Sequence, residues 1–451
     1  MSALPAPTEQ WRAELLAGRE ALRQSYLRAA TPRRQLHAHS RLIDRTLRGL
    51  WQVLRPAAPA ALVATGGYGR GELFPFSDID VLVLLAEAPG SHERASLERL
   101  VGMFWDVGLE VAHSVRTVQE CVDAAAADIT VQTALLEARF LAGSRRLYRD
   151  LTAAVAAGLD AQGFFKHKTL EQEQRHAKHQ DTAYALEPNL KEAPGGMRDL
   201  QTIQWIARAC GLGRRWPDLH RHGLLLRAEA VQLARHENLL HDLRIRLHYL
   251  AGRREDRIVF DYQTPLAEQC GYRGSPTRRP SEQLMQRYYT TAKAVTQLNT
   301  ILLQNLEARL AGESDAAPLA LNERFQVRGE RLEACAEDLF ERDPRAILES
   351  FVLLQQHQEL RGMTARTLRR LWRDRQRIDG AFRRDPANRD RFMAMFRAER
   401  GLLHELRRMN LFGILGQYLP VFGRIVGQMQ HDLFHVYTVD EHILMVIRNL
   451  R

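Results

Sequence analysis

Asp78 and Asp80 stand two apart in the string Ser77-Asp-Ile-Asp-Val81. On a strand of period two both carboxylates leave from one face, while Ile79 and Val81 turn to the other, toward a core. Two like charges held side by side repel unless a cation lies between them, and oxygen-only donors suit Mg2+ or Mn2+ better than zinc. Upstream, Gly66 and Gly67 close a short apolar run. Lacking a Cβ, they let backbone N–H groups approach phosphate oxygens closely. Downstream, Glu110 lies between Leu109 and Val111 in an apolar–acid–apolar pattern, with Asp106 its rival as a third acid. Three carboxylates beside a glycine turn would suit a two-metal clamp for in-line phosphoryl or nucleotidyl transfer. Gly-Gly alone is usually a turn and Asp-x-Asp often a solvated strand end, so the ordered combination carries the reading.

A second set of residues points to anions. Pro194-Gly-Gly196 makes a tight turn, and Arg198-Asp199 opens a helix whose N-terminal N–H groups favour negative charge. Lys191 and Arg198 are candidates to flank nucleotide phosphates, with a capped turn bearing surface charges as the equal alternative. His167, His176 and His179 share a predicted helix with Glu171 and Glu173 but form no HExxH pattern, and they read as a polar helix face.

Positioning the acids takes a small sheet. Residues 61–65, 79–85 and the alternating run 109–116 predict three strands, with a helix over 91–107 between the second and third. Helices over 8–30 and 32–54 precede them. Beyond residue 118 the periodicity predicts helices, among them 128–141, 164–184, 198–210, 226–251 and 281–312, plus one small hairpin around Gly329. The fold class is therefore α+β, a small α/β head embedded in a predominantly helical protein.

Composition narrows the function classes. The 451 residues carry 64 Lys+Arg against 54 Asp+Glu, a formal charge of +10. Only five of the cations are lysines (Lys166, Lys168, Lys178, Lys191, Lys293), and the arginines are spread along the chain among Glu and Asp. That pattern fits solvated helix faces at least as well as a nucleic-acid track, and no aromatic-interleaved basic groove is present. Cys121, Cys210, Cys270 and Cys335 are isolated, which excludes a disulfide framework and fits a reducing cytoplasm. Apolar runs such as 81–86 fall far short of the roughly 20 residues a membrane span needs.

The Gly-Gly, Asp-x-Asp and later acid resemble the polymerase-beta-type nucleotidyltransferase superfamily. The longer string 66–80, with 105–117, 186–200, 340–344 and 432–442, resembles more narrowly the PII uridylyltransferases, the bifunctional uridylyl-transferring and uridylyl-removing enzymes of bacterial nitrogen control. The resemblance implies that Asp78, Asp80 and Glu110 bind Mg2+ or Mn2+ and that Gly66 and Gly67 contact the triphosphate of UTP. Ser77 is a candidate to hydrogen-bond a phosphate, with a simple turn role as the equal alternative, and Arg70 a candidate to reach the triphosphate, with a surface arginine as the equal alternative; the resemblance implies a tyrosine of the PII protein as acceptor. A nucleotidyltransferase acting on nucleic acid and a non-catalytic regulatory module are the alternatives. The implied domains are N-terminal helices 1–57, a nucleotidyltransferase domain 58–142, a helical domain 143–313 completing the nucleotide cleft, a helical linker domain 319–435, and the start of an HD hydrolase domain at 436–451. His442 would then be the first ligand of an incomplete HD metal site, and the dipeptide His431-Asp432 a decoy. A final helix that ends without a C-cap predicts that the chain is a piece of a longer protein, and the resemblance implies that the uridylyl-removing and glutamine-sensing parts are not in it.

Overall fold

The computed structural model describes residues 6–54, 59–179, 185–276, 278–312, 317–429 and 437–450. The chain is 65% helical with two small mixed sheets, an α+β protein. It divides into two compact units: Met1–Glu173 with Gln204–Arg215 and Glu237–Asp256, and Gln174–Ile203 with Trp216–His236 and Arg257–Arg451.

The first unit is built on four strands. β1 (Ala60–Ala64) and β2 (Ile79–Leu85) run antiparallel, β3 (Val111–Thr117) lies parallel to β2, and β4 (Arg139–Gly143) pairs antiparallel with β1, giving the order β3-β2-β1-β4. The helices α1 (Ala6–Arg28), α2 (Pro32–Leu54), the single turn α3 (Gly66–Gly69) and α4 (Ser91–Asp106) accompany them. α4 makes the crossover that a parallel pair requires, because no tight turn can join two parallel strands. Ala60, Leu62 and Ala64 of β1 and Ile79, Val81 and Val83 of β2 share a core with Ile43, Leu47 and Leu50 of α2 and Leu97, Leu100 and Phe104 of α4. The odd positions of β2 thus enter the core, and alternation puts Asp78 and Asp80 on the opposite side.

The apolar stripe of α2 covers a sheet face of the head that would otherwise meet water. Several expectations are corrected. The predicted helix 128–141 ends at Leu136, and Arg139–Gly143 becomes β4. That short run lacks period-two alternation, so only the need of buried β1 for backbone partners on its second edge reveals it as a strand. β3 begins at Val111, two residues later than the alternation implied. Residues 143–313 are shared between the two units.

The second unit is mainly helical, with Pro280–Ala311 as its longest helix. Within 319–435, expected to be helical apart from one hairpin around Gly329, β5 (Leu319–Ala320), β6 (Phe325–Arg328), β7 (Arg331–Ala334) and β8 (Gly362–Met363) form a second sheet in that order. The β6–β7 hairpin turns at Gly329, as the sequence suggested, and that residue takes a positive φ of 58°. Phe325, Phe340, Phe351, Leu368 and Met409 centre the core of this sheet and its helices. The dipeptide His431-Asp432 lies outside the described residues. Among the described residues no helix is long and apolar enough to cross a membrane.

Candidate active site

β1 ends at Ala64, and the chain turns at once into α3. Thr65 N–H donates to the Asp80 carbonyl at 3.0 Å, holding the turn against β2. Gly66 has φ 54°, and a Cβ placed there would lie 2.8 Å from Asp80 Oδ2. This residue must be glycine twice over, for its backbone and because the Asp80 carboxylate occupies the space. Gly67 is different: a Cβ there meets only ordinary contacts, the nearest being Arg70 Nη2 at 3.5 Å. No contact in the fold demands glycine at 67.

Asp78 precedes β2 and is exposed, while Asp80 within it is half-buried. Glu110 sits just before β3 and is exposed; its carbonyl accepts from Ile79 N–H at 3.1 Å. The parallel register pairs Ile79 with Val111 and Asp80 with Ala112, so Glu110 is the lateral neighbour of Asp78. Asp106 closes α4, exposed and away from that ladder. Asp78, Ser77 and Glu110 line a cavity of about 300 Å³ together with Arg19, Tyr249, Arg253 and Arg254. Arg254 forms an ion pair with Asp78. Among the described residues no three His, Cys, Asp or Glu side chains converge as a metal cluster. The hard oxygens of Asp78 and Asp80 are donors a divalent cation would accept, and Glu110 stands one ladder position away.

The loop carrying Asp78 is pinned along its length. Ser40 of α2 accepts from Leu73 N–H at 3.2 Å, and His39 Nδ1 lies 3.2 Å from the Leu73 carbonyl. His248 donates to the Pro75 carbonyl, and its other nitrogen faces Asp256 at 3.4 Å. Arg244 bonds Asp256 at 2.5 Å and covers the Phe74 ring, 4.1 Å from its centroid. Burial holds His39 and His241 down to about 4.

Arg70 is committed within the protein. It bonds Glu72 at 2.9 Å and Glu137 at 2.5 Å, and Trp205 Nε1 donates to the other Glu137 oxygen at 2.5 Å. Burial opposes its charge, but Glu137 and Glu72 more than offset that and raise its pKa. Its contacts with two carboxylates describe a buttress for α3, not a side chain open to phosphate. Behind α3, Asp44 of α2 accepts from Tyr68 at 2.6 Å and from Arg139 of β4 at 2.7 Å.

Lys191 and Arg198 belong to the second unit. There they flank Glu192, at 3.7 and 3.2 Å, and hold its carboxyl below the ordinary value although burial works the other way. Gly195 takes φ 74°, with a would-be Cβ 2.2 Å from the Ala292 carbonyl oxygen, and its N–H donates to buried Asp199 at 2.7 Å. Asp199 also receives Arg175 and His176, so that histidine is an anchor for the turn at 194–196. His442 is exposed on the helix Val439–Asn449.

Sequence reasoning missed Arg254, Glu137 and Phe76, which also lines the cavity. Gly252 marks a helix end and the arginines follow it, yet nothing local says that this turn returns to Asp78.

Three family models match the chain: "Nucleotidyltransferase domain" at residues 45–120, "GlnD PII-uridylyltransferase" at 163–303, and "Uridylyltransferase GlnD third domain" at 325–418. Curated relatives named bifunctional uridylyltransferase/uridylyl-removing enzyme, from Nitrosospira multiformis and Aromatoleum aromaticum, are 53% identical over 100% of this chain and 52% of their own length. One from Bordetella avium is 55% identical over 91% of this chain and 48% of its own length. The chain spans about half the length of the curated relatives it matches. With a nucleotidyltransferase head bearing paired aspartates and a glycine turn, both uridylyltransferase domains after it, and such identity along its length, the chain belongs to the GlnD PII-uridylyltransferase family.

Proposed function

We propose that the chain transfers UMP from UTP to a tyrosine hydroxyl of the PII signalling protein and releases pyrophosphate. One observation carries the reading: Gly66, at positive φ, sits where any Cβ would meet the carboxylate of Asp80, two residues from Asp78. A glycine turn next to an aspartate pair is what phosphate binding beside a cation requires.

Asp78 and Asp80 would hold Mg2+ or Mn2+, with Glu110 as the third acid. A bound divalent ion supplies charge neutralisation for the departing pyrophosphate and acidifies the attacking hydroxyl. The chain's own residues do the positioning. Backbone N–H groups at Gly66 and Gly67 receive the triphosphate, and Ser77 adds a hydroxyl at its edge. Arg70, through Glu137 and Glu72, ties the end of α3 to the segment just before β4. Arg254 is ion-paired with Asp78, and a bound cation would take over that charge. Lys191 and Arg198 are assigned as anion contacts within the second unit, and His442 as a ligand of a second metal site that needs further ligands. The reaction is placed in the cytoplasm, where its nucleotide substrate is available.

The test uses UTP labelled on the α-phosphate, PII and Mg2+. Wild type moves label to PII, and Asp78→Asn and Asp80→Asn each lower the rate by on the order of 100-fold or more with circular dichroism unchanged. Wild-type transfer in both variants overturns the assignment.

A further inference from the structure

Phe76 is the single non-glycine residue with positive φ among the described residues, at 57°. For a bulky side chain this is a strained conformation that persists only where the surroundings enforce it. Here they do. Leu73 is tied to His39 and Ser40, Pro75 to His248, and Ser77 N–H to the Phe74 carbonyl at 3.2 Å. Phe74 is buried by this pinning, and Phe76 is turned outward, 47% exposed, onto the wall of the cavity that holds Asp78 and Glu110. An aromatic ring kept in water by backbone strain, next to catalytic-type carboxylates, calls for a ligand.

The cavity is lined by Ser77, Asp78 and Glu110 but not by Gly66, Gly67 or Asp80. In an in-line displacement the nucleophile and the leaving group occupy opposite sides of the phosphorus. With the triphosphate on the Gly66 side, beside Asp80, the acceptor must enter from the other. We propose that this cavity receives the acceptor tyrosine and that Phe76 is the platform for its ring, an inference that rests on the uridylyl transfer proposed above. The phenol oxygen attacks the α-phosphorus of UTP, the bond from that phosphorus to the bridging oxygen breaks, pyrophosphate leaves, and the phenolic proton passes to solvent. Offset or edge-to-face packing against Phe76 would orient the ring while its hydroxyl reaches the carboxylates. Phe76 is therefore a determinant of acceptor specificity, selecting a flat aromatic side chain over an aliphatic hydroxyl.

Three variants test this. Phe76→Asn removes the ring and places at this position a residue that tolerates positive φ, so the protein stays folded with a melting temperature no lower than wild type. Phe76→Leu keeps an apolar side chain, and Phe76→Tyr keeps an aromatic one. Kinetics with varied PII, and calorimetry of UTP with Mg2+, are measured for each. The expected result for Asn and Leu is a KM for PII raised about tenfold with UTP affinity within about twofold of wild type, and near-complete rescue by Tyr. Loss of UTP affinity with an unchanged KM for PII overturns the inference, making Phe76 a nucleobase contact. Unchanged KM for PII in a wild-type-competent assay overturns it as well. A wild-type chain that moves no label to PII overturns the transfer reading itself, a separate and distinguishable failure.

Discussion

At the scale of single residues, the two adjacent glycines make opposite demands. Gly66 is held by φ 54° and by Asp80 Oδ2 at 2.8 Å from a would-be Cβ, whereas Gly67 faces only ordinary contacts. Gly66→Ala should cost roughly 1–2 kcal/mol of stability from the left-handed backbone alone. By displacing Asp80 it should also slow transfer by on the order of 100-fold. Gly67→Ala should leave stability within about 0.5 kcal/mol and weaken UTP binding instead. Thermal melts paired with UTP calorimetry check both, and a Gly67→Ala variant that unfolds would refute the division of roles. The placement of Asp78, Asp80, Gly66 and Glu110 at one turn and two strand ends was legible in the sequence because their spacing is local. Arg254 and Phe76 were not, since a turn some 170 residues away and a strained φ leave no periodic trace.

The elements are joined by polar ties more than by the sheet alone. Asp44 of α2 receives both the Tyr68 hydroxyl from α3 and the Arg139 guanidinium from β4, with a nearly buried carboxylate at the centre. Removing the acid leaves a phenol and a cation without their shared acceptor. Asp44→Ala is therefore expected to destabilise the first unit by roughly 3 kcal/mol and to loosen α3. Urea unfolding followed by tryptophan fluorescence measures the loss, and a midpoint equal to wild type would show that the tie is dispensable. The strand supplying Arg139 was read as helix, because a five-residue run that pairs with a distant edge has too few positions to display a period.

For the molecule as a whole, pH dependence follows from histidines buried in the first unit. His39 and His241 are held at about 4 against an ordinary 6.5, burial being the main cause. A depressed pKa means that the unfolded chain binds these protons first. Stability is thus complete above pH 6.5 and falls as pH drops toward 4, by roughly 2 kcal/mol per histidine at pH 5. Urea midpoints at pH 7.5 and 5.0 should differ accordingly, and His241→Gln should flatten the slope; equal midpoints for wild type would contradict the buried, neutral state. His39 also faces the Leu73 carbonyl, so transfer activity should decline over the same window.

Short-range chemistry was written into the chain before it folded: the carboxylate pair at period two, the glycine turn, the amphipathic helices and the hairpin at Gly329. These depend on residues within a few positions of one another, where covalent geometry dictates what can share a face. Folding alone settled which distant groups meet. It put β4 on the open edge of β1, committed Arg70 to Glu72 and Glu137, returned Arg254 to Asp78, and turned Phe76 outward onto the cavity that Asp78 and Glu110 line. Those contacts arise because buried backbone edges and buried charges must find partners wherever the chain can supply them, at separations no local pattern encodes.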